Sequence, residues 1–139
     1  PEDLMTVAEE VLGENGEQIS LIRVQASTGT DIEPTAIVKL KINGVESEDF
    51  AHGNGPVDAA FKAVQKLLAD SVSGVELERY QLKSLTGGTD ALASAFVQLR
   101  KGHLTVRGRY AHTDVVLASL GAYIQSYNRL LKKINQKNP

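Results

Sequence analysis

Hydrophobic and polar residues alternate with different periods along the chain, and each period predicts one kind of element. Over residues 1–12, apolar residues at helical spacing predict a short amphipathic helix that ends at Gly13. The stretch Ile19 to Gly29 predicts a strand, and strict alternation over residues 36–42 predicts a second, half-buried strand. Helical and extended segments therefore follow one another within one short chain.

A hairpin and a helix follow these strands. Asn43-Gly44 is the strongest two-residue hairpin signal, and it predicts that the chain returns as a third strand from Val45 to about His52. Pro56 opens a predicted helix that ends near Asp70. Its apolar stripe recurs at i, i+3, i+4 and i+7 and consists of Val57, Ala60, Phe61, Val64, Leu67 and Leu68.

The same order of elements then repeats. LIRVQ at 21–25 is matched by LERYQ at 77–81, with three identities at a constant offset. AIVKLK at 36–41 is matched by AFVQLR at 95–100, which alternates in the same phase. An internal repeat of this length predicts two copies of one supersecondary unit.

The second copy completes the fold prediction. Lys101-Gly102 corresponds to the first hairpin turn, and a strand over 104–110 leads into a closing helix. The buried stripe of that helix is predicted to be Val116, Leu120, Tyr123, Tyr127 and Leu130, with Asn128 and the nearby lysines in solvent. We therefore predict an α+β fold: a short N-terminal helix followed by two βββα units at about 19–70 and 75–133.

Composition narrows the possible functions. The 139 residues contain no cysteine, which excludes disulfides and thiolate metal sites and makes the cytoplasm the expected location. The net charge is −2 and the cations are spread along the chain, so nucleic acid is not an expected partner. The longest apolar runs are only a few residues, so no membrane partner is expected either. Because the chain starts without methionine, we expect it to be part of a longer protein.

Groups for catalysis are not arranged in any known pattern. His52, His103 and His112 have no second histidine at a ligand spacing, so no metal site is predicted. No nucleophile-elbow or phosphate-loop pattern occurs in the sequence. The sequence therefore predicts no catalytic residues.

Two equivalent helix starts are the remaining candidates for chemistry. One is Gly53-Asn54-Gly55-Pro56, and the other is Ala111-His112-Thr113-Asp114. Free N–H groups at a helix start favour a carboxylate, and glycines allow a ligand to approach the backbone. Asn54 or Gly55 is predicted to cap the first helix and Thr113 the second. The alternative is that these residues only begin a helix.

The first of these starts carries a family resemblance. GNGPVDA at 53–59, preceded by TAIVKLKINGVESEDFAHG and followed by VELERYQLKSLTGGTDALASAFVQL, resembles the carboxy-terminal regulatory domain of the 2-isopropylmalate synthase family. TDVVLASLGAYIQSYNRLL, from Thr113, is similar to the closing helix of that family. The resemblance extends from about Ser20 to Leu131.

This resemblance implies an organisation for the whole protein. Residues 1–18 would be the end of a connecting segment, and residues 19–139 a homodimeric domain that binds an end-product amino acid between its units. In full-length members a TIM barrel, using a divalent metal and acetyl-CoA, joins an acetyl group to a 2-oxo acid. That catalytic barrel would be the partner of this chain, which itself would hold no cofactor and catalyse nothing.

The resemblance also implies a set of effector-binding residues: Gly53, Asn54, Gly55, Val57, Ala59, Leu77, Tyr80, Ser84, Thr113, Asp114 and Val116. Helix-start amides would bind the ligand carboxylate, and Asp114 or backbone carbonyls its ammonium group. Val57, Leu77 and Tyr80 would surround its side chain. Alternatively, Leu77 and Tyr80 are plain core residues and Asp114 complements a helix dipole.

The identity of the effector stays open between close homologues. Leucine regulates isopropylmalate synthase, and isoleucine regulates the related citramalate synthase; homocitrate synthase is a more distant alternative. The segments VELERYQL and TDVVLAS favour the isopropylmalate branch, so leucine is the predicted effector. A dimerisation scaffold without an effector, and a small free-standing enzyme, are the competing hypotheses.

Overall fold

The computed structural model of the protein describes residues 18–85 and 91–137. In chain order the elements are β1 (Ile19–Gly29), β2 (Ile32–Ile42), β3 (Val45–His52), α1 (Pro56–Leu68), β4 (Glu76–Ser84), β5 (Ala93–Lys101), β6 (Leu104–His112) and α2 (Val115–Lys137). The predicted α+β fold of two βββα units is confirmed. The helix predicted over residues 1–12 lies outside the described residues.

The chain divides into two compact units, the first ending at Ser73 and the second beginning at Gly74. Each unit contains one antiparallel three-stranded sheet with its strands in sequential order, β1-β2-β3 or β4-β5-β6. Within its own unit, α1 packs on the first sheet and α2 on β5 and β6.

The repeat extends to the register of the strands. In the first unit Leu21 pairs with Leu40, and a β-bulge follows before the next pair. In the second unit Leu77 pairs with Leu99, and a bulge follows at the same place. A bulge increases the local twist of a strand. The similarity of LIRVQ and LERYQ therefore reflects one irregular strand built twice.

The two hairpin turns use different backbone conformations. Asn43 and Gly44 both have positive φ, at 51° and 85°, as a type I′ turn requires. In the second unit Lys101 pairs with Leu104, so the central turn residues are Gly102 and His103. Gly102 has a φ of 60°. The second turn thus lies one residue later than the predicted Lys101-Gly102 pair.

Both hydrophobic cores follow the predicted periods. Ala36, Val38 and Leu40 of β2 are fully buried beneath α1, as are Ala95, Val97 and Leu99 of β5 in the second unit. Leu120, Tyr123, Tyr127 and Leu130 are buried on α2, as predicted. Asn128, expected in solvent, is only 8% exposed, because burial extends around most of the circumference of α2 between Ala118 and Leu130.

No helix in residues 18–85 and 91–137 is long and apolar enough to cross a membrane. This finding concerns the helices alone.

Candidate functional site

The predicted effector residues divide between the two units. Five surround the start of α1: Gly53, Asn54, Gly55, Val57 and Ala59. Six lie on β4 or around the start of α2: Leu77, Tyr80, Ser84, Thr113, Asp114 and Val116. The two helix starts occupy equivalent places, since each helix follows the third strand of its unit after a short turn.

The start of α1 has no side-chain cap. Gly55 is the N-cap residue, in extended conformation with φ −165° and ψ 178°, and no side chain bonds to the first-turn amides. Pro56 occupies the first turn, where its missing N–H costs nothing. The first intrahelical bond runs from the Ala59 N–H to the Gly55 carbonyl oxygen at 2.9 Å. Backbone N–H groups of this turn are therefore available to an external carboxylate.

Asp58 adds a carboxylate beside these amides. Its Oδ2 accepts a hydrogen bond from the Asn54 N–H at 2.8 Å and lies 3.1 Å from the Lys62 ammonium nitrogen. The Asn54 bond is the main reason why the pKa of Asp58 is lowered; Lys62 acts in the same direction and partial burial opposes them. An ionised carboxylate thus lies next to unpaired helix amides, which together suit an amino-acid zwitterion. Asp58 was not among the residues predicted from the sequence, although GNGPVDA contains it.

Two glycines in this turn have different surroundings. A Cβ added to Gly53 would lie 2.4 Å from the Ala59 nitrogen, so the end of β3 packs directly on the first turn of α1. A Cβ added to Gly55 would have nothing within 4 Å. Space for a ligand therefore exists at Gly55, whereas the space beside Gly53 is filled by the helix itself. Ala59 is fully buried and Val57 is half-buried.

The start of α2 is capped by its own carboxylate. Asp114 Oδ1 accepts hydrogen bonds from the N–H groups of Val116 at 2.8 Å and Leu117 at 3.1 Å. The Asp114 N–H donates in turn to His112 Nδ1 at 2.8 Å. The cap is thus Asp114 rather than the predicted Thr113, whose side chain is exposed one residue earlier. The predicted position of the N-cap was wrong by one residue, because the helix begins at Val115 and its N-cap is therefore residue 114.

The three predicted residues of β4 are spread along that strand. Tyr80 faces α2, and its hydroxyl lies 2.6 Å from the Ser119 hydroxyl. Burial raises the pKa of Tyr80, and the bond to Ser119 acts in the opposite direction. Leu77 is 39% exposed. Ser84 lies seven residues further on, roughly 23 Å away at strand spacing, so Leu77 and Ser84 do not line one small pocket of this unit.

A cavity of about 310 Å³ lies beside the start of α2. It is lined by Ser84 and Thr113, which the sequence analysis had assigned to the effector site. Leu82, Leu92 and Val115 provide its apolar wall. These three residues were not predicted, although Leu82 lies two positions from Tyr80 on the same face of β4, a spacing visible in the sequence.

Metal ligands do not cluster in the described part of the chain. Within residues 18–85 and 91–137, no group of three or more His, Asp or Glu side chains could hold a metal ion.

Comparison with known proteins gives related sequences over nearly the whole chain. The model of a family described as the LeuA allosteric (dimerisation) domain matches residues 1–131. A protein of Methanosphaerula palustris named "Putative (R)-citramalate synthase CimA" is 39% identical over 132 residues, 94% of this chain and 26% of that protein. A "2-isopropylmalate synthase" of Aromatoleum aromaticum is 35% identical over 139 residues, 99% of this chain and 27% of that protein.

A third relative is also named as a 2-isopropylmalate synthase. A "Probable 2-isopropylmalate synthase" of Methanosarcina acetivorans is 41% identical over 136 residues, 94% of this chain and 26% of that protein. The chain thus spans about a quarter of the length of these curated relatives. Both synthase names occur at similar identity.

Proposed function

Because the chain belongs to the LeuA allosteric (dimerisation) domain family, we propose that it senses a branched-chain amino acid for a feedback-regulated synthase. The full-length protein would join the acetyl group of acetyl-CoA to a 2-oxo acid on a metal-dependent barrel outside this chain. The chain itself would supply no catalytic group and no cofactor site. It would form a homodimer, in keeping with the description of its family.

The observation that carries this proposal is the contrast between the two helix starts. At α2 the Asp114 carboxylate accepts two first-turn N–H groups, whereas at α1 the equivalent position is Gly55, which has no side chain to offer. An effector carboxylate would take at α1 the place that Asp114 takes at α2. Such an interaction is worth about 0.3 to 1 kcal/mol when exposed and up to about 2 kcal/mol when partly buried.

Asp58 would bind the ammonium group of the effector. Its carboxylate lies in the same helical turn as the uncapped amides, and the Asn54 bond and Lys62 favour its ionised form. A carboxylate has about four acceptor positions, so the two bonds to Oδ2 leave others for a ligand. Asp114, the other candidate for this role, is already engaged with the α2 amides.

Leucine is the effector that we propose first, and isoleucine is the alternative. The presence of relatives named as citramalate synthase at 39% identity favours keeping isoleucine as a candidate. The two amino acids differ only in where one methyl group branches, a difference worth about 1 to 3 kcal/mol in an apolar pocket. Within the first unit, Val57 stays the predicted contact of the effector side chain.

The test is isothermal titration of the chain with leucine, isoleucine and valine, with its molar mass measured by light scattering. A Gly55→Val variant should keep the dimer and lose saturable binding, because the added side chain covers the α1 amides without a clash. Gly29→Val is the matched control, since a Cβ at that exposed strand end meets only Ile32 Cδ1 at 3.5 Å.

The outcomes separate the hypotheses. Leucine binding that is lost in Gly55→Val and kept in Gly29→Val supports the hypothesis of a leucine sensor. A preference for isoleucine would instead indicate the regulatory domain of a citramalate synthase. A folded dimer that binds none of the three amino acids would leave only the scaffold function.

A further inference from the structure

A second cavity of the second unit lies away from the start of α2, at the outer edge of β6. Its volume is about 330 Å³, and it is lined by the apolar Val106 and by four cationic residues: Arg107, Arg129, Lys132 and Lys133. No Asp or Glu belongs to its described lining. We refer to this cavity as the basic cleft.

The spacing of the helix residues explains how the cleft forms. Arg129, Lys132 and Lys133 are separated by three and four residues, and Gln136, which also lines the cleft, is seven residues after Arg129. Residues at i, i+3, i+4 and i+7 share one face of a helix. This face of α2 lies along the edge strand β6, so its charges gather at one place.

Covering the strand edge accounts for part of this arrangement. Arg129 Nη1 donates to the Arg107 carbonyl, and Lys133 Nζ donates to the Thr105 carbonyl at 3.4 Å. Charged side chains commonly protect an edge strand in this way. Each of these bonds uses one donor of a group that has five in arginine or three in lysine. Lys132, exposed on the same face, takes no part in either bond.

The described lining of the cleft contributes positive charge and no carboxylate. Residues 74–139 contain ten Lys and Arg but only four Asp and Glu. Of these four, Glu76 and Glu78 pair with Arg100, and Asp114 caps α2. Arg107 Nε donates to Gln98 Oε1 at 2.9 Å, and Gln98 donates to Glu78, so the Arg107 guanidinium belongs to that network and the cleft cations outside it are those on α2. The cations of the basic cleft therefore have no carboxylate among the residues that line it.

We propose that the basic cleft binds a multiply phosphorylated small anion, of the size of a nucleoside triphosphate. Guanidinium and ammonium groups are the usual partners of phosphate oxygens, and the three on α2 (Arg129, Lys132 and Lys133) exceed what a single carboxylate can neutralise. The volume lies within the range of small-molecule sites. Val106 and the aliphatic stems of the lysines offer an apolar surface to the organic part.

The basic cleft and the proposed amino-acid site use different residues: the cleft belongs to the second unit, and the amino-acid site is proposed at the start of α1 in the first. Within the second unit, Thr105 of the cleft and His112 before α2 stand at opposite ends of β6, seven residues and roughly 23 Å apart at strand spacing. Binding at the cleft therefore does not depend on whether leucine, isoleucine or neither binds the chain.

The test is calorimetric titration of the chain with ATP and, separately, with inorganic triphosphate and adenosine. The decisive variant is the double substitution Lys132→Gln with Lys133→Gln. The matched control, Lys39→Gln with Lys41→Gln, removes the same charge from β2 in the first unit. Saturable triphosphate or ATP binding should weaken at least about tenfold in the first variant and less than about twofold in the second, and it should also weaken as salt rises from about 50 to about 200 mM.

A single Lys132→Glu variant keeps the test valid if loss of the Lys133 bond disturbs the strand edge. It should weaken triphosphate binding with an unchanged circular dichroism spectrum, because Lys132 is exposed. Tighter binding of ATP than of triphosphate would mean that the nucleoside contacts the apolar wall of the cleft. Equal binding would mean that only the phosphate groups are recognised. Both results support the site. Absence of saturation at millimolar triphosphate, or equal binding by both double variants, would overturn the proposal.

Discussion

Gly53 and Gly55, separated by one residue, are glycines for different physical reasons. At Gly53 the close packing of β3 on the first turn of α1 leaves no room for a Cβ, whereas at Gly55 the Cβ direction is open. The extended backbone of Gly55 is one that any residue adopts. Neither packing nor conformation therefore requires glycine at position 55, which is consistent with a role in admitting a ligand.

Substitution of these glycines should give opposite effects on stability. Gly53→Ala should lower the free energy of unfolding by about 1 to 3 kcal/mol, because the methyl group would overlap the Ala59 backbone. Gly55→Ser should leave it unchanged or raise it by a few tenths of a kcal/mol. Urea unfolding of both variants measures the difference. Equal stability of the two would contradict the packing argument.

Asp58 should make part of the stability depend on acid pH. Its native pKa is lowered below the ordinary 3.8, so its contribution is present above about pH 4 and is lost as pH falls through the native value. Asp58→Asn should therefore be less stable than the wild type at pH 7, and the difference should shrink toward pH 3. Urea unfolding at several pH values measures it.

Lys62→Gln is the control for the cause of this dependence. The Asn54 bond is the larger influence on Asp58, so most of the pH dependence should remain in Lys62→Gln. A wild-type advantage over Asp58→Asn of the same size at pH 7 and pH 3 would contradict the assignment.

At the scale of elements, two helices in equivalent places begin with different caps. α2 satisfies its first amides with Asp114, and α1 leaves them without a side chain. The repeat therefore keeps the packing of strand and helix and changes only the chemistry at the helix start. This difference makes the two units an internal comparison for the role of the cap.

Removing the cap of α2 should destabilise the protein. Asp114→Ala should cost about 1 kcal/mol of unfolding free energy, since two amides lose their acceptor, and Asp114→Asn should retain most of the cap. Thermal and urea unfolding measure both variants. If Thr113→Ala were instead the more damaging substitution, Thr113 and not Asp114 would be the cap.

Transferring that cap to α1 should separate stability from binding. Gly55→Asp should keep or slightly raise the unfolding free energy, because aspartate is a favourable N-cap residue. It should also abolish amino-acid binding, since its carboxylate would occupy the amides proposed for the ligand. Calorimetry with leucine and isoleucine, beside urea unfolding, measures the two effects. Undiminished binding would place the ligand elsewhere.

At the scale of the whole molecule, the two halves of the sequence differ strongly in charge. Residues 1–73 contain five Lys and Arg against thirteen Asp and Glu, and residues 74–139 contain ten against four. The net charge of −2 conceals this asymmetry. The even spread of cations expected from the sequence analysis is therefore wrong, and the basic cleft lies in the cationic half.

Membership of a dimerisation-domain family predicts concentration-dependent stability. The thermal midpoint should rise with protein concentration, because dilution favours dissociated chains. An effector at 100 times its dissociation constant should add about 2.7 kcal/mol to the unfolding free energy. Differential scanning fluorimetry over a dilution series, with and without leucine or isoleucine, measures both. A midpoint independent of concentration would contradict an obligate dimer.

The sequence by itself determined the order of the elements, both hairpins and most core positions. Ala36, Val38 and Leu40 could be predicted as buried because alternation is a property of neighbouring residues. The repeat was likewise visible in short identical strings. The spacing of Arg129, Lys132 and Lys133 was also present in the sequence, but its meaning depends on which strand the helix face meets.

Only the tertiary structure decided the chemistry at each helix start. In the tertiary structure the N-cap of α2 is Asp114 rather than Thr113. A side chain at position 53 would have no room, whereas one at position 55 would be in open space. The tertiary structure also buries Asn128, which the helical period had assigned to solvent. The cap and the closed space at Gly53 depend on the residue at which each helix begins, and the burial of Asn128 depends on what packs around α2. A local pattern determines which face of an element is apolar, but not which atoms of another element that face will meet.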